Sequence, residues 1–121
     1  MNSGAYIKKF SEISINDVAV VGGKNSSLGE MFSRLSKKRI AVPNGFATTA
    51  YAFDEFLAHN SLRAPLLTLM AELDKEHFSN LAIIGEKART LLLQAKIPQQ
   101  LQLAIVESYR TLCRTDCSEV A

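Results

Sequence analysis

The sequence predicts an α+β fold, with a short mixed sheet in its first half and a mostly helical second half. In the first half, apolar residues come in brief runs broken by Gly, Pro and Asn. From Leu66 onward they recur at three- and four-residue spacing, the period of a helix face. With 121 residues the chain is long enough for one core and short of the size at which a second domain is expected, so residues 1–121 are read as a single domain.

The elements follow in chain order. Residues 5–10, Ala-Tyr-Ile-Lys-Lys-Phe, suit a short strand, and Ser14–Asp17 a polar turn before a second strand at Val18–Val21. Leu28, Met31, Phe32 and Leu35 keep the i, i+3, i+4, i+7 rule and predict a helix directly after Gly22-Gly23, with Ser26 or Ser27 available as its cap. Lys37-Lys38-Arg39 complements the dipole at the end of that helix. Pro43-Asn44-Gly45 reads as a turn in which Pro presets φ and Asn-Gly tolerates positive φ, and Phe46–Thr48 as a strand leaving it. Thr49 is a good N-cap for a helix carrying Phe53, Phe56 and Leu57 and ending near His59-Asn60. Leu66, Leu67, Met70 and Leu73 mark the next helix, and Leu81, Ile84, Ala88, Leu91, Leu92 and Ala95 a longer one. Pro98 suits the first turn of a last helix with the apolar face Leu101, Ile105, Tyr109 and Leu112.

Composition excludes several functions. A net charge of +2, with lysines and arginines scattered, is no nucleic-acid footprint. No run approaches the roughly 18 apolar residues of a membrane span, and the N-terminus has no signal-peptide core, so a cytoplasmic location is expected. Cys113 and Cys117 have neither His59 nor His77 near them in sequence. A zinc site needs about four ligands, so both cysteines are read as reduced structural thiols. No metal site is expected from this chain's own residues.

The chemistry is expected at Gly22-Gly23-Lys24-Asn25. A helix start presents N–H groups without partners and a partial positive charge, glycine lets a ligand approach the backbone, and Lys24 adds a mobile ammonium. Together these suit a phosphate. The spacing matches neither a P-loop nor Gly-x-Gly-x-x-Gly, so by spacing alone a plain turn from strand to helix with a solvated Lys24 is the favoured reading. Glu30 lies near the motif, but a carboxylate early in a helix is already favoured by the dipole. Thr48 and Thr49 are accounted for as strand end and cap, His59 as a helix-end residue and His77 as a loop residue. Arg63, Arg89, Arg110 and Arg114 are read as solvated.

A wider stretch adds to this. Val-Gly-Gly-Lys-Asn-Ser-Ser-Leu-Gly-Glu-Met at 21–31, with Val-Pro-Asn-Gly-Phe-Ala-Thr-Thr-Ala-Tyr-Ala-Phe at 42–53 and the lead-in Ile15-Asn16-Asp17-Val18, closely resembles the start of the phosphoenolpyruvate synthases (pyruvate, water dikinases). Pyruvate phosphate dikinases, rifampicin phosphotransferases and plant glucan, water dikinases are related. Asn25 and Gly29 favour the synthases, because the phosphate dikinase motif usually carries Gly and Ala there. The specific match covers residues 15–57.

The resemblance implies the N-terminal part of an ATP-grasp-like nucleotide-binding domain. It implies ATP and Mg²⁺ as the ligands of the full-length enzyme, with Lys24, Gly22, Gly23 and Asn25 at the nucleotide phosphates. In that family ATP, pyruvate and water become phosphoenolpyruvate, AMP and phosphate through a phosphohistidine on a separate domain. The family's Arg-Ser-Ser-Ala segment, its later acidic and Gln-Ala-Arg segments, its carrier histidine and its pyruvate domain are not in this sequence. The chain is therefore expected to be a partial domain ending before Arg-Ser-Ser-Ala and inactive alone, meeting pyruvate only through other domains, with a homo-oligomeric full-length enzyme left open. Two alternatives stand beside this reading: the ATP-binding part of a related phosphotransferase, and a non-catalytic helical interaction module.

Overall fold

The computed structural model describes residues 5–115, so Cys117 and residues 118–121 lie outside the described residues. The architecture is α+β and mostly helical. Strand β1 (Ile7–Lys9) pairs antiparallel with β2 (Phe46–Thr48), with Ile7 opposite Thr48, Lys8 opposite Ala47 and Lys9 opposite Phe46. The helices are α1 (Val18–Leu35), α2 (Ala50–His59), α3 (Arg63–Ala71), α4 (Leu81–Gln94) and α5 (Gln99–Thr115). The chain divides into two compact units, one from residues 5–54 and 99–115 and the other Glu55–Pro98.

The first unit is built on a core of Phe10, Ile13, Val21 and Ala47, with Leu28 and Phe32 of α1 packed against it. Leu28 and Phe32 share one side of the helix, as their four-residue spacing in the sequence predicts. The sheet expected to be mixed is antiparallel, and the strand expected at Val18–Val21 is helical. The cause of the second correction lies just upstream. Ser14 and Asp17 form a reciprocal capping box around a 3₁₀ turn at Ile15–Asp17: the Asn16 N–H donates to Ser14 Oγ (3.2 Å) and the Ser14 N–H to Asp17 Oδ2 (2.8 Å). A turn so capped delivers the chain into α1 at Val18, and the β-branched run follows it. Val18 and Val20 are exposed, and only Val21 reaches the core.

A third correction concerns the reversal after α1. The turn expected at Pro43-Asn44-Gly45 does not form, and neither Asn44 nor Gly45 uses the positive φ open to it. That segment approaches β2, with the Asn44 side chain accepting from the Gly45 N–H (2.8 Å) and the Gly45 carbonyl accepting from the Phe10 N–H (3.0 Å). The left-handed position falls instead on Arg39 (φ 60°), where the Ile40 N–H reaches back to the Leu35 carbonyl (3.0 Å). This is a Schellman-type end formed within the basic cluster, with Lys37 and Lys38 in the last turn as expected.

Thr49 caps α2 as expected. Its Oγ1 accepts from the Ala52 N–H (3.2 Å) and donates to the Ala5 carbonyl, tying the cap to the chain just before β1. Along α5, Leu101 and Leu112 are buried, whereas Tyr109, assigned to the same face, is 54% exposed.

The second unit is helical, as its periodicity predicts. Asn60 ties the end of α2 to the segment before Pro98, donating to the Lys96 carbonyl (2.8 Å) and accepting from the Lys96 N–H (2.9 Å). The connection from α3 to α4 is held by Asp74, which accepts from Ser79 Oγ (2.6 Å) and from the N–H groups of Glu76 and His77 (3.1 and 3.2 Å). His77 sits exposed in that loop and His59 ends α2, the places expected for them.

Candidate phosphate site at the glycine break

Helix α1 is two helices joined at a break. Gly22 has φ 84° and ψ 166°, a conformation open in practice to glycine alone, so helical geometry stops after Val21 and restarts at Gly23. Gly23, Lys24 and Asn25 are thus the first turn of a new helix, and the first N–H groups of such a turn lack the carbonyls a continuous helix would supply. The expected glycine-to-helix junction exists, entered from a helical turn instead of a strand.

The residues around the junction differ in what they do. Gly22, Gly23 and Lys24 are exposed, and a Cβ placed on either glycine meets no atom within 4 Å. Among the described residues nothing hydrogen-bonds or ion-pairs with the Lys24 ammonium. Asn25 is half-buried, and its Nδ2 donates across the break to the Val21 carbonyl (2.9 Å). Neither expected serine caps this helix: Ser26 is fully buried with its Oγ unpartnered, and Ser27 is exposed.

The neighbours that sequence left uncertain are employed in the scaffold. Glu30 accepts from the Ile15 N–H (3.0 Å) and from Arg34, so it holds the 3₁₀ turn against α1. The Ile15 N–H, and then Arg34, lower its pKa below the ordinary carboxylate value. Asp17 is lowered in the same sense, first by the Ser14 N–H and then by nearby Lys8 (3.5 Å). Gly29 is buried against Ile13: a Cβ there would lie 2.5 Å from Ile13 Cβ and Cγ2 and 2.8 Å from its carbonyl oxygen. Sequence reading missed both the Asn25 bond and this contact. The first had a signal, an amide side chain four residues beyond the residue that precedes the glycine pair.

Among the described residues no group of three or more His, Cys, Asp or Glu side chains is placed to hold a metal ion, and no helix is long and apolar enough to cross a membrane. Three cavities, of about 700, 160 and 500 Å³, are lined by other residues than Gly22–Asn25. The junction is an exposed surface turn that offers N–H groups and one cation. Its donor chemistry suits an anion.

Residues 18–121 match the family described as pyruvate phosphate dikinase, AMP/ATP-binding domain. The chain is 47% identical over 109 residues to a phosphoenolpyruvate synthase of Synechocystis sp., covering 90% of this chain and 13% of that protein. It is 42% identical over 107 residues to one from Neisseria meningitidis serogroup B, covering 88% of this chain and 14% of that protein. A phosphoenolpyruvate synthase of Escherichia coli K12 is 38% identical over 107 residues, with the same coverage of 88% and 14%. The chain therefore spans about an eighth to a seventh of the length of these curated relatives. With the family model matched from Val18 through the glycine break and all of the helices that follow, the chain belongs to the pyruvate phosphate dikinase AMP/ATP-binding domain family.

Proposed function

We propose that this chain supplies the phosphate-binding turn of a phosphoenolpyruvate synthase, within an ATP-grasp-like domain of a cytoplasmic enzyme. One observation carries the reading: the family match runs through a glycine break that restarts a helix at Gly23 with an exposed, unpaired Lys24 beside it. The N–H groups of the new first turn would receive phosphate oxygens, and the bare backbone at Gly22 and Gly23 lets them come close. Lys24 would offset triphosphate charge. Phosphoryl transfer depends mainly on positioning and electrostatic stabilisation, so a fixed anion cradle is what such a segment can contribute.

Mg²⁺ fits this turn only as a companion of the nucleotide, because the turn offers donors and a cation and no carboxylate. The overall reaction, in which ATP, pyruvate and water give phosphoenolpyruvate, AMP and phosphate, belongs in this proposal to the longer protein, as do the acceptor histidine and any assembly into oligomers. Alone, the 121-residue chain is expected to bind Mg-ATP weakly and to turn over nothing.

Calorimetric titration with Mg-ATP tests the site. Lys24→Ala should weaken binding about tenfold or more, the loss expected for one charge-assisted contact. Lys37→Ala, a basic residue elsewhere on the chain, should leave it within about twofold. Equal affinities for the parent and Lys24→Ala chains would remove Lys24 from the site.

A further inference from the structure

The geometry points to Asn25 as a positioning residue that locks the phosphate-binding turn from inside, in place of the direct nucleotide contact its motif suggests. This rests on the reading that Lys24 and the adjoining N–H groups receive the phosphates. Two consecutive glycines make a loose junction, because neither carries a Cβ to restrict its backbone. Packing does not supply the missing restraint: a Cβ on Gly22 or Gly23 would meet open space. Among the described residues the only side chain that hydrogen-bonds to residues 21–24 is Asn25, whose Nδ2 holds the Val21 carbonyl at 2.9 Å.

The position of that bond is what matters. Side chains bonding to the carbonyl four residues earlier occur elsewhere, from Thr68 to Ala64 (3.0 Å) and from Ser108 to Ala104 (2.7 Å), but those lie inside unbroken helices that are already rigid. At Asn25 the same bond spans the break and joins the last residue before it to the first turn after it. The orientation of Gly23 and Lys24 relative to the Val21 peptide is thereby set before any ligand arrives, the pre-organisation that an anion cradle needs. Asn25 is also half-buried while the three residues before it are exposed, so it occupies the inner side of the turn.

The test measures mobility in the nucleotide-free chain and Mg-ATP affinity on the same variants. Asn25→Ala should lower the NMR order parameters of the Gly23 and Lys24 amides from the rigid range of about 0.85 toward or below about 0.6. It should also weaken Mg-ATP binding about three- to tenfold. Asn25→Gln, which keeps a side-chain amide donor, should restore part of both. If affinity falls while the free-state order parameters hold, Asn25 touches the nucleotide and the positioning role is wrong. If the amides loosen while affinity holds, the lock has no bearing on binding and the inference also fails. Failure of the underlying site has its own signature: Mg-ATP would leave the Gly23 and Lys24 resonances of the parent chain unmoved, and Lys24→Ala would change nothing.

Discussion

Two glycines in α1 are required for opposite reasons. Gly22 is needed for its backbone, since φ 84° with ψ 166° places it where a Cβ is strained. Gly29 has an ordinary helical backbone and is needed for space, because Ile13 stands where its Cβ would be. Gly22→Ala should therefore cost about 1–3 kcal/mol through backbone strain, and the strain should also disturb the turn that presents Lys24. Gly29→Ala should cost about 1–3 kcal/mol through overpacking, seen as a lower urea midpoint with unchanged slope. Trimming the neighbour with Ile13→Ala should not restore it, since Ile13 Cβ and its carbonyl oxygen obstruct as much as the branch does. A Gly29→Ala chain as stable as the parent would show that α1 is free to shift off Ile13. The sequence made Gly22 legible as a junction, because a helical pattern begins just after it. It could not reveal the need at Gly29, which comes from a residue distant along the chain.

Helix ends explain most of the differences between the expected and observed elements. The run Val18–Val21 has strand composition, yet the Ser14/Asp17 box starts helix geometry immediately before it, and a local cap outweighs a weak propensity. The end of α1 at Leu35 was legible, but its geometry was not, because Arg39 holds the left-handed position where glycine is the ordinary choice, while the Asn-Gly pair downstream does not use it. Arg39→Gly should stabilise the chain. Relief of about 1–2 kcal/mol of left-handed strain, less about 0.4–1 kcal/mol of added unfolded-state entropy, leaves a net gain of about 0.8 kcal/mol at the middle of these ranges, readable as a higher urea midpoint. The caps also set a pH dependence. Asp17 and Glu30 have pKa values lowered from ordinary values of 3.8 and 4.5 by N–H donors that exist only in the folded chain. The unfolded chain then binds more protons in acid, so their stabilisation is complete above about pH 4.5 to 5 and drains away as pH falls through the lowered values. Asp17→Asn with Glu30→Gln should reduce the acid-side slope of stability against pH, and an unchanged slope would mean that these caps are not what acid dissolves.

For the molecule as a whole, legibility followed distance along the chain. The helices of Glu55–Pro98 were readable because their faces repeat at helical spacing, and Thr49 was readable as a cap because its partner, Ala52, is three residues away. The antiparallel pairing of β1 with β2 was not, since it joins segments separated by the whole of α1. The candidate site falls between these cases: the phosphate-suited turn is local and was legible, whereas the Asn25 bond depends on a break whose geometry only the fold supplies. If that turn receives the nucleotide, ligand binding must appear in the stability of the folded chain, because the unfolded chain has no junction with which to hold phosphate. At Mg-ATP ten times its dissociation constant the linkage is worth about 1.4 kcal/mol, which for a chain of this size raises the melting temperature by about 5 °C. Adenosine, which lacks phosphate, should give almost none of this shift, and Lys24→Ala should lose most of it at the same Mg-ATP concentration. Scanning calorimetry of the parent and Lys24→Ala chains against both ligands decides the matter. A shift of equal size with adenosine would place the nucleotide's grip on its base and leave the glycine break as a turn that merely joins two helices.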